Sequence, residues 1–312
     1  MSSRFRRPEN HPAFCRNHPS AALAPQESSF RQVQYYDPKT KAFHPVNICF
    51  DTHHVQFATD ADETLYGNGV FSGAIGWINT RILDETGDGA KAQGWCRGYH
   101  DINQDGKVDP AVDQQIAVCV IYSVIPHPCQ GSVWGEAAGP MPGKIIRIDP
   151  KTCVGEAYEP PFDPAAGVVG YTPRGIDIDS NGVIWTALAS SGHLASFDRR
   201  KCKGPLQGPS STNGQHCRGG WTLHPVPGPR LKGVRGIVAV DFQYYNFVDR
   251  FDTFGLGANT PFANGTNSDS LLALRPDGTW LVFRVPYPLG FFSRAMDGRI
   301  DEPKAGWKGG GI

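Results

Sequence analysis

The stretch Pro173–Asp198, PRGIDIDSNGVIWTALASSGHLASFD, decides how this chain folds. Ile176 and Ile178 alternate with Asp177 and Asp179, the period-two pattern of a strand. Ser180-Asn181-Gly182 then turns the chain into a second strand, Val183-Ile184-Trp185-Thr186. After Ser190-Ser191-Gly192 a third strand runs from His193 to Phe197 and ends in the charged turn Asp198-Arg199-Arg200. Three antiparallel strands with tight turns make most of a sheet unit that other parts of the chain repeat.

The copies are weaker but recognisable. Thr52–Gly69 (THHVQFATDADETLYGNG) repeats strand, acidic turn and strand, and HPCQGSVWGEAAGPMPGKIIRIDPKT ends in a matching strand and turn. Three turns recur: Tyr36-Asp37-Pro38-Lys39-Thr40, Ile148-Asp149-Pro150-Lys151-Thr152 and Leu274-Arg275-Pro276-Asp277-Gly278. Each precedes a short strand (AFHPV, EAYEPP and TWLVFRVPYP), with proline presetting the turn. A repeat of about 40 to 50 residues built from such hairpins predicts an all-β protein, a β-propeller of about five to seven blades. Four or five blades are recognisable, so the ring is either complete with degenerate members or lacks its first ones.

Residues 1–312 are expected to form a single propeller domain. Two segments break the rhythm: the polar residues 79–115 read as an insertion, and residues 202–220 read as a loop stapled by a disulfide. The latter holds KGPLQGPSSTNGQH between Cys202 and Cys217 and has no apolar core of its own.

Composition agrees. The 312 residues include 37 Gly and 26 Pro but only three Met, which suits short strands and turns and predicts very little helix. Lys plus Arg and Asp plus Glu number 30 each, so no global field draws the chain to nucleic acid. No run of about 18 apolar residues predicts membrane insertion. The eight cysteines lack the spacing of a zinc ribbon or haem site and read as disulfide formers, which points to a periplasmic or secreted protein. Yet the start, MSSRFRRPENHPAF, has no apolar run of a secretory signal. Either a leader is missing from this chain or the thiols stay reduced. Cys15-Arg16-Asn17-His18-Pro19, with no strand read before it, also points to a truncated start. The sequence sets no oligomeric state.

The motif Pro-x-Gly-Ile, acidic turn, Ile-Trp and a Gly-led strand ending in Asp resembles the repeat of the streptogramin lyase (virginiamycin B lyase) family, and more distantly NHL and regucalcin-type propellers. The likeness covers about half the chain, in pieces. The stretches HPSAALAP, THHVQF, DFQYYNFVDRFDTFGLG and GFFSRAMDGRIDEPKAGWKGGG also resemble a group of bacterial secreted proteins without an assigned reaction. For the lyases the resemblance implies a Pro-His opening whose imidazole is a base near the axis, a Glu after the blade Trp, and bound magnesium. This chain departs from that pattern. In the clearest blade Arg174 takes the place of the His, and Leu188 stands where the Glu would be. His53 and His54 open an earlier blade, but Leu65 or Tyr66 replaces its Trp. Pro126-His127 keeps the pair, with Glu136 two residues past Trp134.

Residues entering the innermost strand of a blade face a propeller's central channel, so His53, His54, His127 and Arg174 are expected there as catalytic residues. Imidazoles suit proton transfer or a magnesium or transition-metal ion, and an Arg suits a carboxylate or phosphate. A histidine so placed can equally serve only backbone groups. The aromatic run from Phe242 to Asp252 offers Tyr244, Tyr245 and Arg250 as a platform for a ring or sugar, or else packs as a blade edge. Residues 101–109, DINQDGKVD, match the opening of an EF-hand-like calcium loop. Its ligands would be Asp101, Asn103, Asp105, Asp109 and the Lys107 carbonyl, with structural calcium. The twelfth position is Val112 and lacks the bidentate Glu, but Asp113 follows. An Asx-rich surface turn is the alternative. Three functions fit: a metal-assisted lyase or hydrolase on a small molecule, a non-catalytic binding or interaction module, and a metal-dependent oxidoreductase.

Overall fold

The computed structural model describes residues 2–69, 72–116, 120–233, 239–286 and 288–290. Cys119 and most of the stretch GFFSRAMDGRIDEPKAGWKGGG lie outside them. The chain divides into two compact units. The first comprises Met1–Ala137, Ile145–Tyr158 and Pro205–Gly214, and the second Ala138–Lys144, Glu159–Gly204 and Gln215–Ile312.

The first unit begins with β1 (Ser2–Phe5), β2 (Arg31–Asp37) and β3 (Ala42–Val46) in one three-stranded antiparallel sheet. A strand therefore does precede Cys15, contrary to the expectation from sequence. The chain continues through β4 (Val55–Phe57), β5 (Leu65–Asn68), β6 (Ile75–Ile78) and β7 (Gln93–Cys96), a four-stranded meander. Helices α1 (Thr80–Thr86) and α2 (Gly89–Ala92) lie in the connection from β6 to β7. The Asn79 side chain caps α1 by accepting from the Ile82 N–H at 2.9 Å, and Gly87 ends it in the left-handed conformation at φ 66°. Residues 79–115 are thus not wholly an insertion, because Gln93–Cys96 is the fourth strand of a blade. Next come β8 (Tyr99–His100) and β9 (Gln114–Gln115), paired around the acidic loop. A second meander follows: β10 (Val124–Pro126), β11 (Val133–Ala137), β12 (Lys144–Ile148) and β13 (Gly155–Tyr158).

In the second unit a short pair, β14 (Phe162–Asp163) and β15 (Val168–Val169), precedes the meander β16 (Pro173–Ile178), β17 (Ile184–Leu188), β18 (His193–Phe197) and β19 (Trp221–Pro225). The first three strands lie where the sequence pattern predicts, and β19 follows the disulfide-closed loop between Cys202 and Cys217. The last meander is β20 (Asn246–Asp249), β21 (Thr260–Gly265), β22 (Ser270–Leu274) and β23 (Trp280–Arg284). All three recurring turns link the outer strands of a sheet, as predicted.

Each four-stranded meander is a blade of the β-propeller type. In the last meander the first strand is deeply buried and the last meets solvent: all of β20 is buried, whereas Val282 and Phe283 in β23 are 41% and 39% exposed. The first strands of neighbouring blades pack together, β4 with β10 in the first unit and β16 with β20 in the second. Burial on both faces explains why Ile176, Ile178, Ile184, Leu194 and Phe197 are nearly inaccessible while Asp177 and Thr186 are also buried and hydrogen-bonded. The chain is therefore mostly β, with few and short helices.

Candidate functional site

In the first unit the candidate side chains His53 and His54 gather with Tyr122 where β4 and β10 begin. His53 and His54, half-buried, stack with ring centroids 4.3 Å apart. Tyr122 meets both edge-on, at 5.3 Å and 5.2 Å. Asn68, fully buried at the end of β5, fixes this geometry. Its side-chain oxygen accepts from the His54 N–H at 2.6 Å, and its amide donates to the Ile121 and Tyr122 carbonyls at 2.6 Å each. Its backbone is joined as well, since the His53 N–H donates to the Asn68 carbonyl. Beneath Tyr122, the fully buried Glu136 accepts from the Ser123 N–H at 3.0 Å and the Ser123 hydroxyl at 2.5 Å. The Glu136 carbonyl takes the Tyr122 N–H at 3.0 Å. Glu136 thus ties β11 to the chain entering β10, through Tyr122 and Ser123.

His127 is not part of that cluster. It follows Pro126 at the far end of β10, where its Nδ1 accepts from the Cys129 and Gln130 N–H groups at 3.2 Å. There it holds a turn and helps line a cavity of about 140 Å³ with Asp60 and Tyr66. The strand itself begins at Val124, two residues after Tyr122, which the sequence pattern does not mark.

In the second unit the corresponding place is held by Arg174, at the start of β16. Its guanidinium lies 4.3 Å from the centre of the Tyr244 ring and 5.8 Å from that of Phe242. A β-bulge between Arg174 and Ile176 aims this side chain, with Gly175 in the left-handed conformation at φ 79°. A Cβ on Gly175 would stand 3.0 Å from the Tyr245 Cα, so the close approach of β16 to the chain entering β20 needs glycine. Asn246 secures the same approach by donating to the Trp185 carbonyl at 3.0 Å and accepting from the Ala187 N–H at 3.2 Å. Of the platform residues read from sequence, Tyr244 joins Arg174 and Tyr245 backs Gly175. Arg250 lies past the far end of β20, its guanidinium 5.8 Å from the Phe251 ring centre.

The acidic loop is tightly turned on itself. Asp101, almost fully buried, accepts from the Asp105 and Gly106 N–H groups at 3.2 and 2.8 Å, and Asn103 accepts from that of Asp105. The Asp105 carboxylate takes the Lys107 N–H, and that of Asp109 takes the Ala111 N–H. Asp113 accepts from Ile102 and Asp109 at 2.8 and 2.7 Å. Among the described residues, no group of three or more His, Cys, Asp or Glu side chains is arranged to hold a metal ion.

Two disulfides join Cys15 to Cys49 and Cys202 to Cys217, the second as predicted. No helix among the described residues is long and apolar enough to cross a membrane.

No protein-family model matches the sequence, and no curated protein matches it. Among solved structures the chain is similar to a virginiamycin B lyase from Staphylococcus aureus. Identity is 11% over 82% of this chain and 64% of that one, with a TM-score of 0.49. It is also similar to a streptogramin B lyase, at 10% identity over 82% and 76% of the two chains and a TM-score of 0.37. A third similar structure is the extracellular domain of a protein from B. thetaiotaomicron, at 13% identity over 81% and 27%, with a TM-score of 0.43. The family that the blade motifs resemble is thus among the structural neighbours. The chain spans 64% and 60% of the lengths of two S. aureus virginiamycin B lyase chains.

Proposed function

We propose that this chain is an extracytoplasmic protein of β-propeller type that acts on a small molecule, with His53 and His54 as the proton-transfer centre of a lyase or hydrolase reaction. The stacked imidazole pair, pinned by Asn68 and faced by Tyr122, is the observation that carries this reading. Adjacent imidazoles can accept a proton at one ring and return one from the other, and a buried second layer of Asn68 and Glu136 keeps them in place. A divalent ion bound there would polarise a substrate oxygen, and imidazole ligands favour a transition metal over magnesium. The two disulfides support the extracytoplasmic assignment.

The test is turnover of a panel of small esters and lactones read by mass spectrometry, where hydrolysis adds one water and elimination that opens a ring leaves the mass unchanged. A substrate should emerge whose turnover falls at least about 100-fold in the double variant His53→Ala, His54→Ala, with little change in melting temperature. Undiminished turnover in that variant, or none by the wild type, defeats the reading. Elemental analysis of protein purified without chelator separates the metal-assisted form from the metal-free one.

A second reading, a non-catalytic binding module, draws on Arg174 over Tyr244. That stack suits a planar carboxylate, and benzoate is the probe. Arg174→Lys keeps the charge but loses the planar fork, so calorimetry should show binding about tenfold weaker. Equal affinity in the variant, or no binding by the wild type, rejects the stack as the site.

We also propose that the loop Asp101–Asp113 takes calcium through Asp101, Asn103, Asp105, Asp109 and the Lys107 carbonyl. The short turn holds these oxygens on one loop, and a carboxylate oxygen that accepts one N–H retains a lone pair for a cation. Calcium should raise the melting temperature, and Asp105→Ala should abolish the rise. An identical melting temperature with calcium or chelator would leave the loop as an Asx-rich turn.

A further inference from the structure

Two of the cysteines that stand as thiols face each other. Cys96 ends β7, the last strand of one blade, and Cys153 lies in the turn from β12 to β13 of the next. Both belong to the first unit and to one apolar cluster with Ile116, Ile148 and Tyr66. Cys96 is inaccessible and Cys153 is 9% exposed. The backbones meet beside them, since the Tyr99 N–H donates to the Cys153 carbonyl at 3.1 Å and Tyr99 bridges to Val154. The thiols themselves are hydrogen-bonded, and that bond together with burial holds the Cys96 thiol well above its usual range.

The turn that carries Cys153 has a counterpart that shows what is unusual about it. Asp149-Pro150-Lys151-Thr152-Cys153 repeats Asp37-Pro38-Lys39-Thr40-Lys41 residue for residue except at the last position. That position has φ 62° in the first and 55° in the second, so the turn itself demands the left-handed conformation. Lys41 meets the demand with an exposed side chain. Cys153 meets it with a buried one directed into the neighbouring blade, against the other thiol. Backbone geometry therefore does not call for cysteine here, and the contact with Cys96 does.

We propose that Cys96 and Cys153 form a third disulfide, joining two neighbouring blades of the first unit. The oxidant is a disulfide of the thiol-exchange class, such as oxidised glutathione or an oxidoreductase active-site disulfide. Cys153, the more accessible, gives up its proton and attacks that disulfide, forming a mixed disulfide and releasing one thiol. Cys96 then loses its proton and displaces the second thiol, so that two cysteine thiols are oxidised as one disulfide is reduced to two thiols. Because both side chains are shut in by the folded chain, this exchange belongs to folding. The bridge would clamp Tyr99–His100, the strand from which the acidic loop departs, against the turn before β13.

The test uses the full chain, refolded with reduced and oxidised glutathione, then denatured and alkylated with N-ethylmaleimide without reduction. Peptide mass spectrometry should find Cys96 linked to Cys153, alongside the Cys15–Cys49 and Cys202–Cys217 pairs. Cys96→Ser should then leave the Cys153 peptide fully alkylated or joined to glutathione. If Cys96 and Cys153 are both alkylated in wild-type chains whose other two pairs are bridged, or if either is found linked to Cys129, the proposal falls. The reading is taken on wild-type protein, so a poorly folding variant does not affect it.

Discussion

Histidine is used in opposite ways in the two units. In the first, His53 and His54 stand at the opening of an innermost strand, stacked on each other and facing Tyr122. In the second, that opening carries Arg174 over Tyr244, and two histidines, His193 in β18 and His224 in β19, sit inside the blade. There His224 stacks on Trp185 at 5.5 Å and its Nε2 lies 3.3 Å from the Ser196 hydroxyl, while the His193 Nδ1 lies 3.2 Å from that of Ser191. One blade geometry therefore presents a stacked imidazole pair in one place and a guanidinium over a ring in another. A fold of this kind sets where a side chain is presented and leaves its chemistry to the residue.

The strongest way to break the contrast is to remove what holds the first opening. Asn68→Ala deletes one acceptor and two donated hydrogen bonds, leaving the His54 N–H and the Ile121 and Tyr122 carbonyls without this partner. Chemical denaturation should show a loss of about 3 kcal/mol. The histidine ring resonances in an NMR spectrum should shift for His53 and His54 and stay in place for His193 and His224. A loss under about 1 kcal/mol with an unchanged spectrum would mean that Asn68 does not organise the cluster. The matching blow to the second opening is Gly175→Ala. A methyl group at φ 79° facing the Tyr245 Cα should cost about 2 kcal/mol and disturb Arg174, leaving the first unit's histidine resonances unmoved.

These two residues also mark what could be read from sequence. The blade Pro173–Asp198 and the three proline turns were legible because local chemistry alone, alternation and turn residues, specifies them. Strand β7 was not, since Gln-Gly-Trp-Cys is four residues without alternation, placed in a polar stretch. Strand β19 was hidden by the long loop before it and by Pro225 at its end. Within the site, His53, His54 and Arg174 stood out as unusual residues at strand openings. Asn68 reads as an ordinary turn residue, and its role depends on joining the His54 N–H, 14 residues away, to carbonyls more than 50 residues away. Tyr122 is masked by Pro126-His127, which looks like an opening in sequence but ends β10, since proline brings no N–H to a longer ladder. A polar residue closing an apolar strand next to a glycine, as in Leu65-Tyr66-Gly67-Asn68, is the one local hint available.

The smallest effect separates the two kinds of histidine by pH. Burial lowers the affinity of His193 and His224 for a proton below the ordinary imidazole value of 6.5, and Arg230 lowers that of His193 further. The unfolded chain therefore binds protons at these sites more readily than the folded one. Their stabilisation is complete above about pH 6.5 and is lost as the pH falls through the folded values. Stability measured by denaturation should accordingly decline from pH 7 toward pH 5, and the double variant His193→Gln, His224→Gln should show a shallower decline. His11 and His18 in the first unit are shifted the same way by burial, so some slope should remain in that variant. If the slope is unchanged when His193 and His224 are replaced, the acid sensitivity lies elsewhere, and the second unit's imidazoles are no more than neutral packing against Trp185 and the serines.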